Sequence, residues 1–285
     1  TTFRVGLTQG NCIIEKTVVP TTTPEETLRR CAVELENKSF VSIGVACFGP
    51  LDLNEKSPTF GYITSTPKPH WQMTDVLTPF RKFGVPIAID TDVNAAAMAH
   101  MLIKQPPRAF PRATSCAYVT VGTGVGVGFV VDGNPVHGLV HPELGHALPR
   151  VAPGDDFEGG CPYHGNCIEG LLAAGALAKR KKILQSELEE VPDSDPMWDY
   201  CAYYIAQLCM IITYSTSPHF IILGGGVLNR KCLFEKVRRL LPGVNNGYVN
   251  SPYLQEEKVA DYILESPFGE DAGSWGAIAM AYRAK

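Results

Sequence analysis

Hydrophobic and polar positions along this chain follow two periods, about two and about 3.6 residues, and the switches between them mark the elements. "TTFRVGL" and "CIIEKTVVP" are apolar strand patterns and predict a hairpin at the start, with the first strand lacking a preceding turn. "TPEETLRRCAVELE" takes the helical period and predicts a helix with Thr23 as N-cap, Pro24 at the first helical position and Glu26 closing a capping box. "FVSIGVACFGP" is almost wholly apolar and ends in a glycine turn, as a strand buried on both faces does. "VPIAID" repeats that pattern and runs into the helix "VNAAAMAHMLI". The proline-rich stretch "KQPPRAFPRAT" (104–114) breaks the periodicity and reads as a connection between lobes.

Beyond it, "TSCAYVTVGTGVGVGFVVDGNPV" predicts two strands around a glycine turn and a second turn at Asp132-Gly133-Asn134. Helical segments follow near 169–183 and 197–216, then a buried strand "HFIILGGG", a helix from about 229 and a last helix from near Gly273. Strands alternating with helices predict α/β lobes with mainly buried sheets. The expected division is a smaller lobe over 1–112, a larger lobe over 113–272, and a terminal helix, about 273–285, packing back onto the first.

Length agrees with two lobes, because 285 residues is near the upper limit for a single core. The chain is 45% hydrophobic and 19% charged with a formal net charge of -4, which gives no electrostatic footprint for nucleic acid. The short basic cluster Lys179–Lys182 reads as the solvated face of a helix. No apolar run reaches the roughly 18–20 residues needed to span a bilayer, and no leader pattern opens the chain. Nine cysteines is an odd number for a disulfide framework. Cys12, Cys31, Cys47, Cys116, Cys201 and Cys209 lie in apolar periodic segments where a reduced thiol acts as a small hydrophobe, so a soluble protein of a reducing, cytoplasmic compartment is expected.

Several stretches could carry chemistry. "IDTDVNAAA" sets Asp90 and Asp92 where a buried strand gives way to a helix, the usual place for ligands in open α/β sheets. Asp92 could accept a proton from a bound hydroxyl there, or simply cap the helix, as could Asn94. "VGTGVGVG" puts Gly122, Thr123 and Gly124 in a turn whose backbone N–H groups could approach an anion, although a plain glycine-rich hairpin reads equally well. "ILGGGV", with Gly224, Gly225 and Gly226, is a second strand ending in glycines, and "GEDAGSWGA" a third glycine-bounded turn.

The most specific signal is "GHALPRVAPGDDFEGGCPYHGNCIEG". Cys161, His164 and Cys167 have a C-x2-H-x2-C spacing and His146 can return as a fourth ligand, which closes a structural zinc shell. The competing reading is reduced cysteines with incidental histidines. Glu143 and Glu169 flank the ligands and would be held beside the metal, while His146 could bind zinc through one ring nitrogen and donate outward from the other.

In this order, "PTTTPEETL", "FGPLDLN", "GYITSTPKPHW", "IDTDVNAAA", "VGTGVGVG", "HGLVHPELGH", "CPYHGNCIEG", "IILGGGV" and "GEDAGSWGA" resemble the ROK family of sugar kinases and sugar-responsive repressors, and within it the bacterial-type fructokinases. The resemblance spans nearly the whole chain. It implies an actin-like (ribonuclease H-like) two-lobed ATPase fold in which sugar and ATP meet in a cleft. It also implies Asp92 as general base, Glu143, His146 and Glu169 as ligands of the sugar hydroxyls, and Gly49 and Pro50 as the turn bordering the sugar. Thr123 and Gly124 match its phosphate-binding segment, Gly224–Gly226 the segment beside the adenosine, and His146, Cys161, His164 and Cys167 its zinc motif. Thr1 and Thr2 match the end of an acidic-x-G-G-T phosphate turn, so the first strand is expected to be truncated.

Fructose as substrate, ATP with Mg2+, structural Zn2+ and a homodimer are implied with the family. A mannokinase or broad-specificity hexokinase is the nearest alternative, then a catalytically silent sugar-binding protein. A repressor is disfavoured because Asp92 is retained and no DNA-reading module is expected.

Overall fold

The computed structural model describes every residue except Thr1, Asn11, Pro67, Gln105 and Lys285, and for Glu270 it describes the backbone alone. The chain falls into two compact units, Thr1–Gln105 with Asn134–Pro142 and Asp271–Lys285, and Pro106–Gly133 with Glu143–Glu270. The short segment 134–142 therefore belongs with residues far from it in sequence.

The first unit opens with an antiparallel hairpin, Thr2–Gln9 with Cys12–Pro20, whose register shifts once between Leu7 and Thr8. The helix Pro24–Leu35 starts as expected from Thr23, whose hydroxyl accepts from the Glu26 N–H. The Glu26 carboxylate corrects the capping-box expectation: it accepts from the Thr22 hydroxyl at 2.7 Å and pairs with Arg30 at 2.8 Å one turn on. Those two cationic and hydroxyl donors hold its pKa below the ordinary carboxylate range, the Thr22 bond first.

The strands Ile43–Cys47 and Ile87–Thr91 are parallel neighbours, with Cys47 opposite Thr91 at the end of the pair. Their core includes Leu28, Cys31, Ile63, Trp71 and Phe80. Trp71 is fully buried, stacked on Phe3 at 5.5 Å, edge-on to Phe48 at 5.3 Å, and donates its ring N–H to the Thr22 carbonyl.

The terminal helix Ala272–Arg283 lies directly on this pair and on the helix Asp92–Leu102. Two glycines permit it. A Cβ at Gly44 would overlap the backbone of Ala277 and Ala281, and one at Gly276 would come within 2.9 Å of the Ala95 and Ala96 backbone. Neither obstacle is a side-chain tip that can swing away. Gly44→Val should therefore lower stability by about 3 kcal/mol or more, as overpacking against fixed backbone does, read as a drop in melting temperature.

In the second unit the strands run in the order Ile263–Glu265, Phe220–Gly224, Cys116–Val121, Val125–Val131, the first three parallel and the last antiparallel. The turn after Val131 is as expected, with Asp132 and Gly133 both at positive φ. Cys116–Val121 and Phe220–Gly224 are buried almost throughout, which fits their unbroken apolar runs. The helix Met197–Thr216 packs on the helix Cys232–Asn245, with Ile205, Leu208, Cys209 and Ile212 wholly buried.

Two expected helices have different bounds, and a third starts within one residue of its expected place. The 169–183 segment is two helices, Ile168–Leu172 and Ala174–Lys181, divided by Ala173 in an extended conformation. The helix expected from 229 begins at Cys232, after a single tight turn at Gly226–Asn229. The last begins at Ala272. All nine cysteines are free thiols, and Cys12, expected in an apolar setting, is exposed. No helix among the described residues is long and apolar enough to cross a membrane.

Candidate active site

In the first unit the candidate residues collect at the C-terminal ends of the two parallel strands. One strand leads into Gly49 and Pro50, joined by a cis peptide bond, and its neighbour ends at Thr91 and turns into the helix bearing Asp92. Neither Asp92 nor Asn94 is the cap. Thr91 is, its hydroxyl accepting the Asn94 N–H at 3.1 Å, and Asp92 occupies the first helical position. Asp92 is thus not the N-cap, although its carboxylate takes backbone hydrogen bonds in the first helical turn. Asp92 keeps exposed surface, yet protein atoms crowd its carboxyl and the lost hydration raises its pKa to about 6, against opposing backbone hydrogen bonds from Val93 and from Asp92 itself.

Gly49 allows a close approach by His141. A Cβ there would stand 3.0 Å from the imidazole Nε2, the atom that accepts the Leu51 N–H at 3.0 Å. The Pro50 carbonyl takes both the N–H and the hydroxyl of Thr64. Thr2 lies at the edge of the first hairpin, paired with Pro20, while Thr1 is outside the described residues.

The second unit brings the metal candidates together. One ligand atom from each of His146, Cys161, His164 and Cys167 lies within 4.8 Å of all the others. His146 Nδ1 is 3.8 Å from Cys161 Sγ and 3.7 Å from Cys167 Sγ, and His164 Nδ1 is 3.9 Å from Cys161 Sγ. Zinc bonds of about 2.0–2.3 Å in a tetrahedron set ligand separations of roughly 3.3–3.8 Å, so the donor set and its spacing fit that ion.

The loop is folded to this shape by its own backbone. Cys161 and Gly165 exchange N–H to carbonyl bonds, Gly160 donates to Gly170, and Ile168 donates to Ala147. Cys167 is the N-cap of Ile168–Leu172, its sulfur accepting the Gly170 N–H, which sets Glu169 in the first turn. Glu143 is exposed at the head of the tight turn Leu144–His146, its carbonyl accepting the His146 N–H.

Glu169 also reaches the glycine turn, which the sequence did not reveal. Its Oε2 accepts the Val125 N–H at 3.0 Å, and a Cβ at Gly124 would come within 2.7 Å of the same oxygen. A side chain at Gly124 would therefore have to displace the Glu169 carboxylate. The turn of Gly224–Gly226 ends the adjacent parallel strand, with Gly225 at φ +99° and no room for a Cβ against the Val121 carbonyl. Thr123 is exposed on the first of these turns.

The basic cluster is a solvated face at Lys179 and Lys182, which are exposed, but not at Arg180. Arg180 forms a two-pronged pair with buried Asp155, at 2.5 and 3.0 Å, and stacks 4.4 Å from the Phe157 ring. Tyr204 adds its hydroxyl to the same carboxylate at 2.5 Å, and Lys179 donates to the Gly159 carbonyl. Hydrogen bonds from Arg180 and Tyr204 hold Asp155 below the ordinary carboxylate range despite its burial. These contacts clamp the segment leading into Cys161.

The ROK family model matches residues 1–284 of the chain. The chain is 44% identical over 276 residues to a fructokinase of Zymomonas mobilis subsp. mobilis, covering 94% of this chain and 88% of that one. It is 37% identical over 276 residues to a fructokinase of Pediococcus pentosaceus, covering 95% and 91%. In three dimensions it is similar to a ROK family glucokinase of Streptomyces griseus in complex with glucose and AMPPNP, with a TM-score of 0.73 at 19% identity over 98% of this chain and 95% of that chain. The last comparison establishes the fold, the actin-like ATPase fold of sugar kinases.

Proposed function

From the premise that this chain belongs to the ROK family, we propose that it phosphorylates fructose with ATP to give fructose 6-phosphate. The observation that carries the reading is Asp92: a carboxylate at the first helical position after the Thr91 cap, with a pKa of about 6, at the end of a parallel strand pair. Such a group is mostly ionised near neutral pH and still basic enough to take a proton from a hydroxyl. In the proposed step the fructose 6-hydroxyl oxygen bonds to the γ-phosphorus as the bridging bond to the β-phosphate breaks. ADP leaves, and the hydroxyl proton passes to Asp92.

Phosphoryl transfer asks the protein mainly for positioning and charge compensation. We assign sugar-hydroxyl contacts to Glu143, His146 and Glu169, with the Gly49–Pro50 turn bordering the sugar. Backbone N–H groups at Thr123 and Gly124 would receive phosphate oxygens, and Gly224–Gly226 would lie beside the adenosine. Thr1 and Thr2 would close the phosphate turn. ATP enters as its Mg2+ complex, which offsets the triphosphate charge.

His146, Cys161, His164 and Cys167 would hold structural Zn2+. The two cysteines and His146 meet through its Nδ1, so the opposite ring nitrogen remains for a sugar hydroxyl. A cytoplasmic homodimer completes the proposal, with the first unit, which holds the terminal helix and segment 134–142, as the smaller lobe and the second unit as the larger.

ADP release with ATP and Mg2+ against fructose, mannose and glucose tests it directly. Turnover strongest on fructose supports the reading; stronger turnover on mannose or glucose replaces it with a different hexose kinase. Gly124→Ala supplies a second check. Its methyl must displace the Glu169 carboxylate, so KM should rise about tenfold for both ATP and sugar, the effect of losing one aligned charged contact.

A further inference from the structure

Next to Asp92 stands a second carboxylate that the proposed chemistry leaves unused. Asp90 is 2% exposed and faces Ala46 across the parallel pair. A buried charge is costly unless it is paired and hydrogen-bonded, and an aliphatic side chain would fill a strand position without that cost. Both Asp90 oxygens are matched. Oδ1 accepts the Thr91 N–H at 2.7 Å and the Asn94 side-chain amide at 3.0 Å, and Oδ2 lies 2.9 Å from His137 Nε2. A carboxylate oxygen accepts, so a hydrogen bond between these two is donated by His137 Nε2, which also lies 3.4 Å from the Asn94 amide nitrogen.

These partners have one thing in common. Thr91 and Asn94 are the cap and third residue of the turn that presents Asp92, and His137 comes from segment 134–142 of the same unit. That segment is fixed again at its far end, where His141 accepts the Leu51 N–H beside Gly49. We propose that Asp90 and His137 are positioning residues, whose pair fixes the Thr91–Asn94 turn and thereby aims the Asp92 carboxylate at the sugar hydroxyl. The inference rests on the reading of Asp92 as the base.

Its physical content is in the Thr91 N–H. That peptide is one residue from Asp92, and its orientation is set by Asp90 Oδ1. Without the His137 donor, the Asp90 charge is half-satisfied and the carboxylate turns toward another partner. The peptide turns with it. Misplacing a reacting group by an ångström costs about 10²-fold in rate, so a small rotation suffices.

The ionisable groups facing this turn are His137 and His141 from segment 134–142, Cys47 on the paired strand and Lys68 beyond it. Burial pushes the Cys47 thiol up and the His141 imidazole down, so both stay neutral near pH 7. Loss of His137 leaves the Asp90 charge uncompensated close to Asp92, which disfavours a second negative charge.

The test compares the full chain with His137→Ala and with His137→Gln, which keeps a donor. Steady-state kinetics on fructose are paired with a carboxyl 13C NMR titration of Asp92. Expected for His137→Ala is a kcat at least about tenfold lower with KM for fructose within about threefold, from the misalignment argument. The Asp92 titration should move above its wild-type midpoint, and His137→Gln should recover most of both changes.

An unchanged kcat with an unmoved titration would overturn the inference. So would a raised KM at unchanged kcat, which would make His137 a sugar contact, or a glutamine variant as poor as the alanine one. If the wild-type chain phosphorylates no hexose, the base reading fails by itself. The titration then decides separately whether the pair sets the surroundings of Asp92.

Discussion

Asp92→Asn should phosphorylate fructose at least about 10²-fold more slowly than wild type while KM for fructose changes little, the usual effect of removing a positioned general base. The amide keeps the size of the carboxylate and its place at the first helical position, but it cannot accept the proton that must leave as the new oxygen–phosphorus bond forms. In wild type, kcat/KM should rise with pH through an acid limb near 6, where the Asp92 carboxyl ionises. The stability effect has the opposite sense to that of most acidic groups. A carboxyl whose pKa is raised on folding stabilises the fold in its protonated form, and that contribution is lost as pH rises through about 6. Asp92→Asn should therefore melt at or above the wild-type temperature at pH 8 and close to it at pH 4. A variant that is inactive yet no less stable at pH 8 identifies lost chemistry. Equal turnover in the two proteins would remove Asp92 from the mechanism.

The parts of this molecule legible in the sequence are those set by local pattern. The first hairpin, the Thr23 cap, the buried strand before Gly49 and the turn at Asp132-Gly133 all follow from alternation, capping preference or positive φ within a few residues. The convergence of His146, Cys161, His164 and Cys167 was legible for a related reason: three of the four come from one seven-residue turn. What stayed hidden depends on contacts between distant residues. Nothing near Lys179–Lys182 announces that Arg180 is claimed by Asp155 and stacked on Phe157. The pairing of Asp90 with His137 joins positions 47 residues apart, and Glu169 meets Val125 across 44. In "HGLVHPELGH" the only hint was two further histidines ahead of His146. For the cap the sequence reading weighs Asp92 and Asn94 and passes over Thr91, which the backbone turn selects.

Cys161→Ser should remove zinc from the chain and, with it, much of the sugar affinity. The argument begins with the loop's size. Residues 157–167 contain little that packs: Cys161 and Cys167 are its buried anchors, His164 is exposed, and Gly159, Gly160 and Gly165 contribute no side chains. The backbone bonds between Cys161 and Gly165 close a turn too short to be stable alone. In structural sites the ion supplies the missing free energy, on the order of 10 kcal/mol in small zinc peptides, and serine is a poor substitute for a thiolate ligand. Its loss reaches the sugar contacts because they share the loop's framework. His146 is itself one of the proposed ligands, and Glu169 lies two residues after Cys167, the residue that caps its helix. Metal analysis of the purified protein should give one zinc per chain for wild type and much less for Cys161→Ser. KM for fructose should rise about tenfold or more in the variant, since outer-shell and ligand changes at metal sites typically cost 10–100-fold. KM for ATP should move less, because Gly224–Gly226 is held by its own strand and not by the loop. A variant without zinc that bound fructose as tightly as wild type would separate the two roles assigned to His146 and leave the cluster as a scaffold alone.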